Sequence, residues 1–146
     1  MASDIEVRAY IYDRIMDAGR IPLAAEVAEG MGVALEEVKD AFGRMHEGHV
    51  LVLQESGEIL MANPFSAVPT PFVVEVKGRE YWGNCIWDAL GVLAMLHSDG
   101  RVVSSCADCN EAMGVEVRGG ELVDENMGKI HFAVPAASWW DNIRFT

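Results

Sequence analysis

The pattern of apolar and polar positions in the first fifty residues predicts three amphipathic helices. Val7, Ile11 and Ile15 recur every four residues and define one apolar helix face. Pro22 stands where a second helix would begin, a position that proline tolerates because the first helical N–H groups have no partner. The inner faces of the second and third helices are predicted to carry Leu23, Val27 and Ala28, and Leu35, Val38, Phe42 and Met45, respectively.

A β-hairpin is predicted to follow these helices. Two apolar runs, residues 50–53 and 59–61, flank the turn-forming pair Ser56-Gly57. Three helices followed by a hairpin is the order of elements in a winged helix. We therefore expect residues 1–62 to form a winged-helix-like domain.

The next segment, residues 63–71, is rich in proline and predicts a connector. Proline fixes φ and removes a backbone donor, so we expect this segment to be extended and irregular. It is the best candidate for a boundary between two parts of the chain. The second part, residues 72–146, is then expected to form a separate α/β core.

The second part is predicted to contain one main helix and an antiparallel sheet. Residues 72–76 read as a strand, and residues 83–96 as a helix capped by Asn84. Short strand-like pieces follow at residues 102–103, 115–117 and 130–134, separated by glycine-rich turns. The fold class is therefore expected to be α+β. The predicted inner face of the helix consists of Ile86, Leu90, Leu93 and Ala94.

Charge argues against nucleic acid and membrane surfaces as partners. The formal net charge is −12 over 146 residues, and anionic surfaces repel such a chain. Residues 1–70 contain five Lys or Arg against twelve Asp or Glu, a net charge of −7. A winged helix that reads DNA needs basic residues facing phosphate, so a structural or interaction role is favoured over DNA binding.

The rest of the composition indicates a cytoplasmic protein. No run of 18 or more apolar residues is present, which predicts no membrane span, and the N-terminus shows no secretory signal. The three cysteines are an odd number without the spacing of a disulfide scaffold. Reduced thiols in a cytoplasmic setting are the simplest interpretation.

Cys85 and Asp88 are the residues with the clearest chemical potential. Their spacing of three places both side chains on one face at the start of the predicted helix. A helix N-terminus favours thiolate, and an apolar environment would raise the pKa of the carboxyl, so a nucleophile and a proton donor would share one substrate. Spacing alone favours a structural interpretation, in which Cys85 is a buried small side chain and Asp88 only interacts with the helix dipole.

The surrounding residues change that balance. Residues 80–90, Glu-Tyr-Trp-Gly-Asn-Cys-Ile-Trp-Asp-Ala-Leu, resemble the active-site segment of alkylmercury lyases, in which an aromatic residue precedes a Cys-x-x-Asp-x-Leu helix start. Residues 100–106, Gly-Arg-Val-Val-Ser-Ser-Cys, look like the family's strand that ends in a structural cysteine. The acidic N-terminal unit also resembles the family's winged-helix-like extension. The likeness covers most of the chain.

The resemblance implies protonolysis of an organomercurial to a hydrocarbon and Hg(II). Cys85 would bind mercury and Asp88 would handle the proton, while Trp82 and Trp87 would help admit the organic substituent. No organic cofactor is implied, because mercury is substrate and product. The implied partners are the organomercurial itself and a thiol carrier or a mercury-accepting protein.

Two alternatives concern the remaining thiols. The family's second catalytic cysteine has no match up to Thr146, so the alternative function is a soft-metal binding or sensing protein without turnover. Cys106 and Cys109 form a lone Cys-x-x-Cys, half of a zinc ligand set, which His97 or His131 could complete only at unusual spacing. We interpret Cys106 as a packed structural residue and Cys109 as an accessory thiol for metal transfer.

Overall fold

The chain folds into helices and antiparallel sheets, which confirms the α+β class. The computed structural model describes residues 1–124 and 128–144. The helices are α1 (Asp4–Ala18), α2 (Ala24–Met31), α3 (Leu35–Glu47) and α4 (Ile86–Met95), with a final 3₁₀ helix at Ala136–Asn142. The strands are β1 (Val52–Leu53), β2 (Ile59–Ala62), β3 (Phe65–Ser66), β4 (Val73–Val76), β5 (Arg79–Trp82), β6 (Gly100–Ser105), β7 (Ala112–Arg118) and β8 (Glu121–Leu122).

The first three helices bury the faces that their periodicity predicts, except at their first turns. Val7, Ile11 and Ile15 on α1 are all buried. Leu23 caps α2 and Leu35 opens α3, and the predictions that they face inward are wrong, because both remain substantially exposed. The first residue of a helix lies at the edge of the packed face, so its side chain can point outward while the periodic pattern continues behind it.

The hairpin gains a third strand from the predicted connector. β1, β2 and β3 form a three-stranded antiparallel sheet in that order, with Ala62 paired to Phe65 and Met61 to Ser66. The expectation of an irregular segment at residues 63–71 is therefore wrong for Phe65 and Ser66. Phe65 is 2% exposed, so a buried aromatic side chain overrides the local effect of the neighbouring prolines.

The second sheet has the order β5-β4-β6-β7-β8 and is antiparallel throughout. The strands predicted at residues 72–76, 102–103 and 115–117 lie in it. The strand predicted at residues 130–134 does not form. That segment is irregular and exposed, and its Phe132 ring packs against Trp87 and Trp139 instead of against a neighbouring strand.

One apolar core joins the two halves of the chain. The buried residues run from Val7 on α1 to Val102 on β6, and α4 covers β4 and β6. On α4, Leu93 is buried and Ile86 and Leu90 pack partly buried against the core, whereas Ala94 is exposed, contrary to its prediction. Among the described residues after Val102, none is buried. The body of α4 therefore lies against the core, whereas the described strand β8 lies outside it.

The domain boundaries at residues 62 and 71 remain a prediction, and residues 125–127, 145 and 146 of the third segment lie outside the described residues. Within the part that the structure describes, no helix combines the length and apolar character needed to cross a membrane.

Candidate active site

The start of α4 is held against β3 by close packing of the chain around Gly83. Gly83 forms an isolated antiparallel bridge with Phe65, and its carbonyl accepts a hydrogen bond from Thr70 Oγ1 at 2.6 Å. A Cβ atom at Gly83 would lie 2.7 Å from the backbone nitrogen of Ala89, which is too close for any side chain. Glycine therefore lets the chain turn from β5 into α4 directly beside β3.

Cys85, rather than the predicted Asn84, is the N-cap of α4. Its backbone is extended, with φ −150° and ψ −179°, and its Sγ accepts the backbone N–H of Asp88 at 3.4 Å. The helix begins at Ile86, three residues later than its predicted start at residue 83. The cap brings the sulfur and the backbone N–H of Asp88 into the same turn, while the predicted sharing of one substrate by the two side chains stays a prediction.

Burial, not the helix N-terminus, dominates the ionisation of Cys85. Burial of the side chain raises the pKa of the Cys85 thiol, and the charge of Asp88 raises it further. The N–H groups of Asp88 and Trp87 oppose these effects without overcoming them. The expected thiolate is therefore wrong for the resting protein, because desolvation disfavours the charged form. Cys85 rests as a protonated thiol.

Asp88 has the protonation behaviour that the sequence predicts. Burial raises the pKa of the Asp88 carboxyl above its ordinary value. The Asn84 side chain opposes this shift by donating from Nδ2 to Oδ2 of Asp88 at 3.0 Å. The turn therefore pairs a protonated thiol with a carboxyl that holds its proton more readily than an exposed aspartate does.

Asn84 connects this turn to the chain around β3. Its Nδ2 also lies within hydrogen-bonding distance of Asn63 Oδ1 at 3.0 Å and of the carbonyl oxygens of Pro64 and Phe65, both at 3.3 Å. Its own Oδ1 is buried and has no hydrogen-bond partner. The amide is thus fixed by several acceptors, and Asp88 is one of them.

Tyr12 of α1 contacts Asn63, the same residue that Asn84 contacts. Its hydroxyl donates to the carbonyl oxygen of Asn63 at 2.7 Å. Burial raises the pKa of the Tyr12 hydroxyl, and Asp88 is close enough to add to that shift. Sequence reasoning missed the positioning roles of Asn84, Asn63 and Tyr12. The one available signal was that Asn84 precedes Asp88 by four residues, the spacing of neighbours on a helix face.

The two tryptophans predicted to admit the organic group lie on different cavities. Trp87 is 55% exposed and lines an open groove of about 440 Å³ together with Phe132 and Trp139. Trp82 lines a smaller cavity of about 80 Å³ beside Tyr81 and Phe65. Of the described residues, neither Cys85 nor Asp88 lines either cavity. Trp87, two residues from the sulfur, is the nearer of the two along the chain.

Cys106 and Cys109 lie elsewhere, in the turn between β6 and β7. The turn is closed by the N–H of Cys106 donating to Glu111 at 2.8 Å and the N–H of Asn110 donating to Cys106 at 2.9 Å. Backbone N–H groups of Cys109 and Asp108 and the Cys109 thiol all hydrogen-bond to the Cys106 sulfur, which lowers the pKa of the Cys106 thiol. Cys106 is only partly buried and Cys109 is exposed, and both are free thiols.

The structure does not bring a larger ligand set together. Across residues 1–124 and 128–144, no cluster of three or more His, Cys, Asp or Glu side chains is placed to hold a metal ion. Cys85 with Asp88, and Cys106 with Cys109, are the two pairs of sequence-predicted residues that come together.

Comparisons with known proteins bear on both the fold and the family. None of the curated proteins compared with the chain matches it. A crystal structure of the mercury-bound form of MerB2 is similar, with 21% sequence identity and a TM-score of 0.67. The likeness covers 83% of this chain but 58% of that one, so this chain spans a little over half the length of its structural neighbour. The family model for alkylmercury lyase matches residues 65–146, more than half of the chain and all of α4, β6 and β7. The chain belongs to the alkylmercury lyase family.

Proposed function

We propose that this protein cleaves carbon–mercury bonds by protonolysis, with Cys85 as the mercury ligand and Asp88 as the proton carrier. The observation that supports this most directly is the geometry of one helical turn. The Cys85 sulfur accepts a hydrogen bond from the backbone N–H of Asp88, so both residues belong to the same helical turn. A mercury atom bound to the sulfur would then lie beside the carboxyl.

The first step is ligand exchange at mercury. The Cys85 sulfur bonds to the mercury of an R–Hg–SR′ species, the small thiolate R′S⁻ leaves mercury for solvent, and the Cys85 thiol proton passes to the Asp88 carboxylate. The raised pKa values of both groups suit this step, because the thiol brings a proton and the carboxyl retains it. No external acid is needed, since the proton for the next step comes from Cys85 itself.

The second step is protonation of carbon. Asp88 delivers its proton to the carbon attached to mercury, and the electron pair of the mercury–carbon bond becomes the new carbon–hydrogen bond. The hydrocarbon leaves, and Hg(II) stays on the Cys85 sulfur with the Asp88 carboxylate as its counter-charge. Mercury remains Hg(II) throughout. A small thiol carrier or a mercury-accepting protein then removes the ion by thiol exchange.

The groove beside Trp87 is the proposed site for the organic substituent. Its lining is mainly apolar and aromatic, with the Trp87 and Phe132 ring centroids 6.1 Å apart and those of Phe132 and Trp139 5.3 Å apart. Such surfaces accept apolar groups by removing them from water. Trp82 would act through its packing at the end of β5.

The test is hydrocarbon release from a defined organomercurial. The purified chain is incubated with phenylmercury and an excess of a small monothiol, and benzene is measured by gas chromatography. We expect release above the rate of the thiol alone, and its loss in Cys85→Ser. An unfolding curve of Cys85→Ser that overlays that of the parent protein assigns the loss to chemistry. Tight retention of mercury without benzene would replace the lyase by the alternative function, a soft-metal binding protein.

A further inference from the structure

The turn between β6 and β7 holds two thiols in a defined arrangement away from Cys85. Six residue pairs align β6 with β7, and the last of them joins Ser105 to Ala112. The two backbone hydrogen bonds of Cys106, to Glu111 and from Asn110, close the turn immediately beyond that pair. The turn geometry is therefore set by the sheet rather than by the cysteine side chains.

Within this turn the backbone places the two thiols three residues apart, as neighbours. The Cys109 thiol and the N–H groups of Asp108 and Cys109 all hydrogen-bond to the Cys106 sulfur. Cys109 is exposed, so the pair opens to solvent. Neither residue belongs to the turn that carries Cys85 and Asp88, and neither lines the groove beside Trp87.

We propose that Cys106 and Cys109 form a second binding site, a surface dithiol for a soft metal ion that accepts two sulfur ligands, represented by Hg(II). Thiolates favour soft metals, and two neighbouring thiols of one closed turn can turn their side chains to supply both ligands of a two-coordinate ion. On binding, two sulfur–mercury bonds replace the two chloride or monothiolate ligands of the ion, and the two thiol protons pass to solvent or to the displaced thiolates. The step involves no oxidant, and the sulfur atoms keep their oxidation state.

This site stands independently of the proposed lyase reaction, so the experiment uses a chain that lacks the proposed active-site thiol. The full-length Cys85→Ser variant, freshly reduced, is titrated with mercuric chloride in the presence of a competing monothiol. Mercury that stays with the protein after desalting is counted by native mass spectrometry. We expect about one Hg(II) per chain, with about two protons released per ion.

The matched variants are Cys85→Ser/Cys109→Ser and Cys85→Ser/Ser105→Ala. Removal of the exposed Cys109 should leave the fold intact and weaken retention by about 100-fold or more, because a single thiol loses the advantage of two linked ligands. The Ser105→Ala control, one residue from the pair, should retain mercury like its parent. Equal retention in the Cys109→Ser double variant overturns the proposal. A disulfide between Cys106 and Cys109 that persists after reduction, with no mercury bound, also overturns it.

Discussion

Cys85 at the start of α4 and Cys106 in the β6–β7 turn have similar hydrogen-bond donors, but their pKa values shift in opposite directions. In both turns, two backbone N–H groups donate to a cysteine sulfur. Burial and the charge of Asp88 nevertheless raise the pKa of Cys85, whereas hydrogen bonds to the sulfur of Cys106 lower the pKa of that thiol. The difference teaches that desolvation, rather than the helix N-terminus, decides where the proton stays.

This contrast assigns different tasks to the two turns. A protonated thiol beside a carboxyl of raised pKa can supply a proton to a carbon atom, as the proposed lyase reaction requires. A thiol pair with Cys109 exposed and a lowered pKa at Cys106 suits exchange of a metal ion with solvent thiols. The predictions below test whether the packing around α4 creates this difference.

The largest expected effect comes from Phe65, a buried aromatic residue of β3 beside the active turn. Phe65→Ala should lower the free energy of unfolding by about 3–5 kcal/mol, because it removes a buried ring that packs against Tyr12 and Tyr81. Phe42→Ala on α3 is the matched control, since Phe42 is equally buried but distant in sequence from the turn. Denaturant unfolding measures both.

The two variants should differ in chemistry despite similar stability. Under conditions where both remain folded, benzene release should fall further in Phe65→Ala, because the Phe65 carbonyl is one of the acceptors that fix Asn84. Equal activity in the two variants would show that the position of β3 does not matter to the active turn.

The next effect concerns Asn84, whose amide donates to Asp88. Asn84→Ala removes a donor that favours the carboxylate, so the pKa of Asp88 should rise further. We expect the rate of benzene release to fall roughly tenfold or more, the scale of a hydrogen bond to a charged group. The limb of the pH–rate profile that is assigned to Asp88 should shift to higher pH. A loss of activity with an unchanged pH profile would reduce Asn84 to a structural residue.

Alkylation rates compare the thiols directly. At pH 7, iodoacetamide should modify the Cys106–Cys109 pair at least about tenfold faster than it modifies Cys85. Thiolate is the reactive form, and Cys85 is both partly buried and protonated. Asp88→Asn should speed the modification of Cys85 by removing a repelling charge. Peptide mass spectrometry gives the rate at each site, and faster reaction at Cys85 would reverse the comparison.

The smallest effect concerns Glu26 and Asp88, two carboxyls whose pKa values shift in opposite directions. Arg20 donates two hydrogen bonds to Glu26 and, as the largest cause, lowers the pKa of Glu26 to about 2, whereas burial raises that of Asp88. The contribution of Glu26 to stability is present above its unfolded pKa near 4.5 and is lost as the pH falls toward 2. Glu26→Gln should therefore cost about 0–1 kcal/mol at pH 7, because the pair is exposed, and nothing near pH 2.

Asp88 should show the opposite pH dependence of stability. Its raised pKa means that the folded state favours the protonated carboxyl, so its contribution is present at low pH and is lost as the pH rises through the folded pKa. The stability of Asp88→Asn relative to the parent should therefore increase with pH. Urea unfolding of the parent protein and of both variants from pH 2 to pH 8 distinguishes the two carboxyls.

Features that depend on neighbours in sequence were predictable. The buried face of α1 followed from a four-residue repeat, and the meeting of Cys85 with Asp88 followed from a spacing of three. Both lie within one element, so local geometry decides them.

Features that depend on distant packing were not predictable. Asn84 meets Asn63 across 21 residues, and Tyr12 meets Asn63 across 51 residues, distances that only the tertiary fold closes. The protonated state of Cys85 was missed for the same reason, since burial outweighs the helix N-terminus. The strand predicted at residues 130–134 failed because an alternating pattern cannot show whether a neighbouring strand is available for pairing.

The central claim is that a sulfur and a proton-bearing carboxyl act on the same mercury-bound group. Single-turnover reaction of Asp88→Asn with phenylmercury tests it, with Asp13→Asn on the exposed side of α1 as the control. We predict that Asp88→Asn holds phenylmercury on Cys85, located by peptide mass, while benzene release falls by about 100-fold or more. Benzene release at the parent rate, or no phenylmercury on Cys85, would contradict the account.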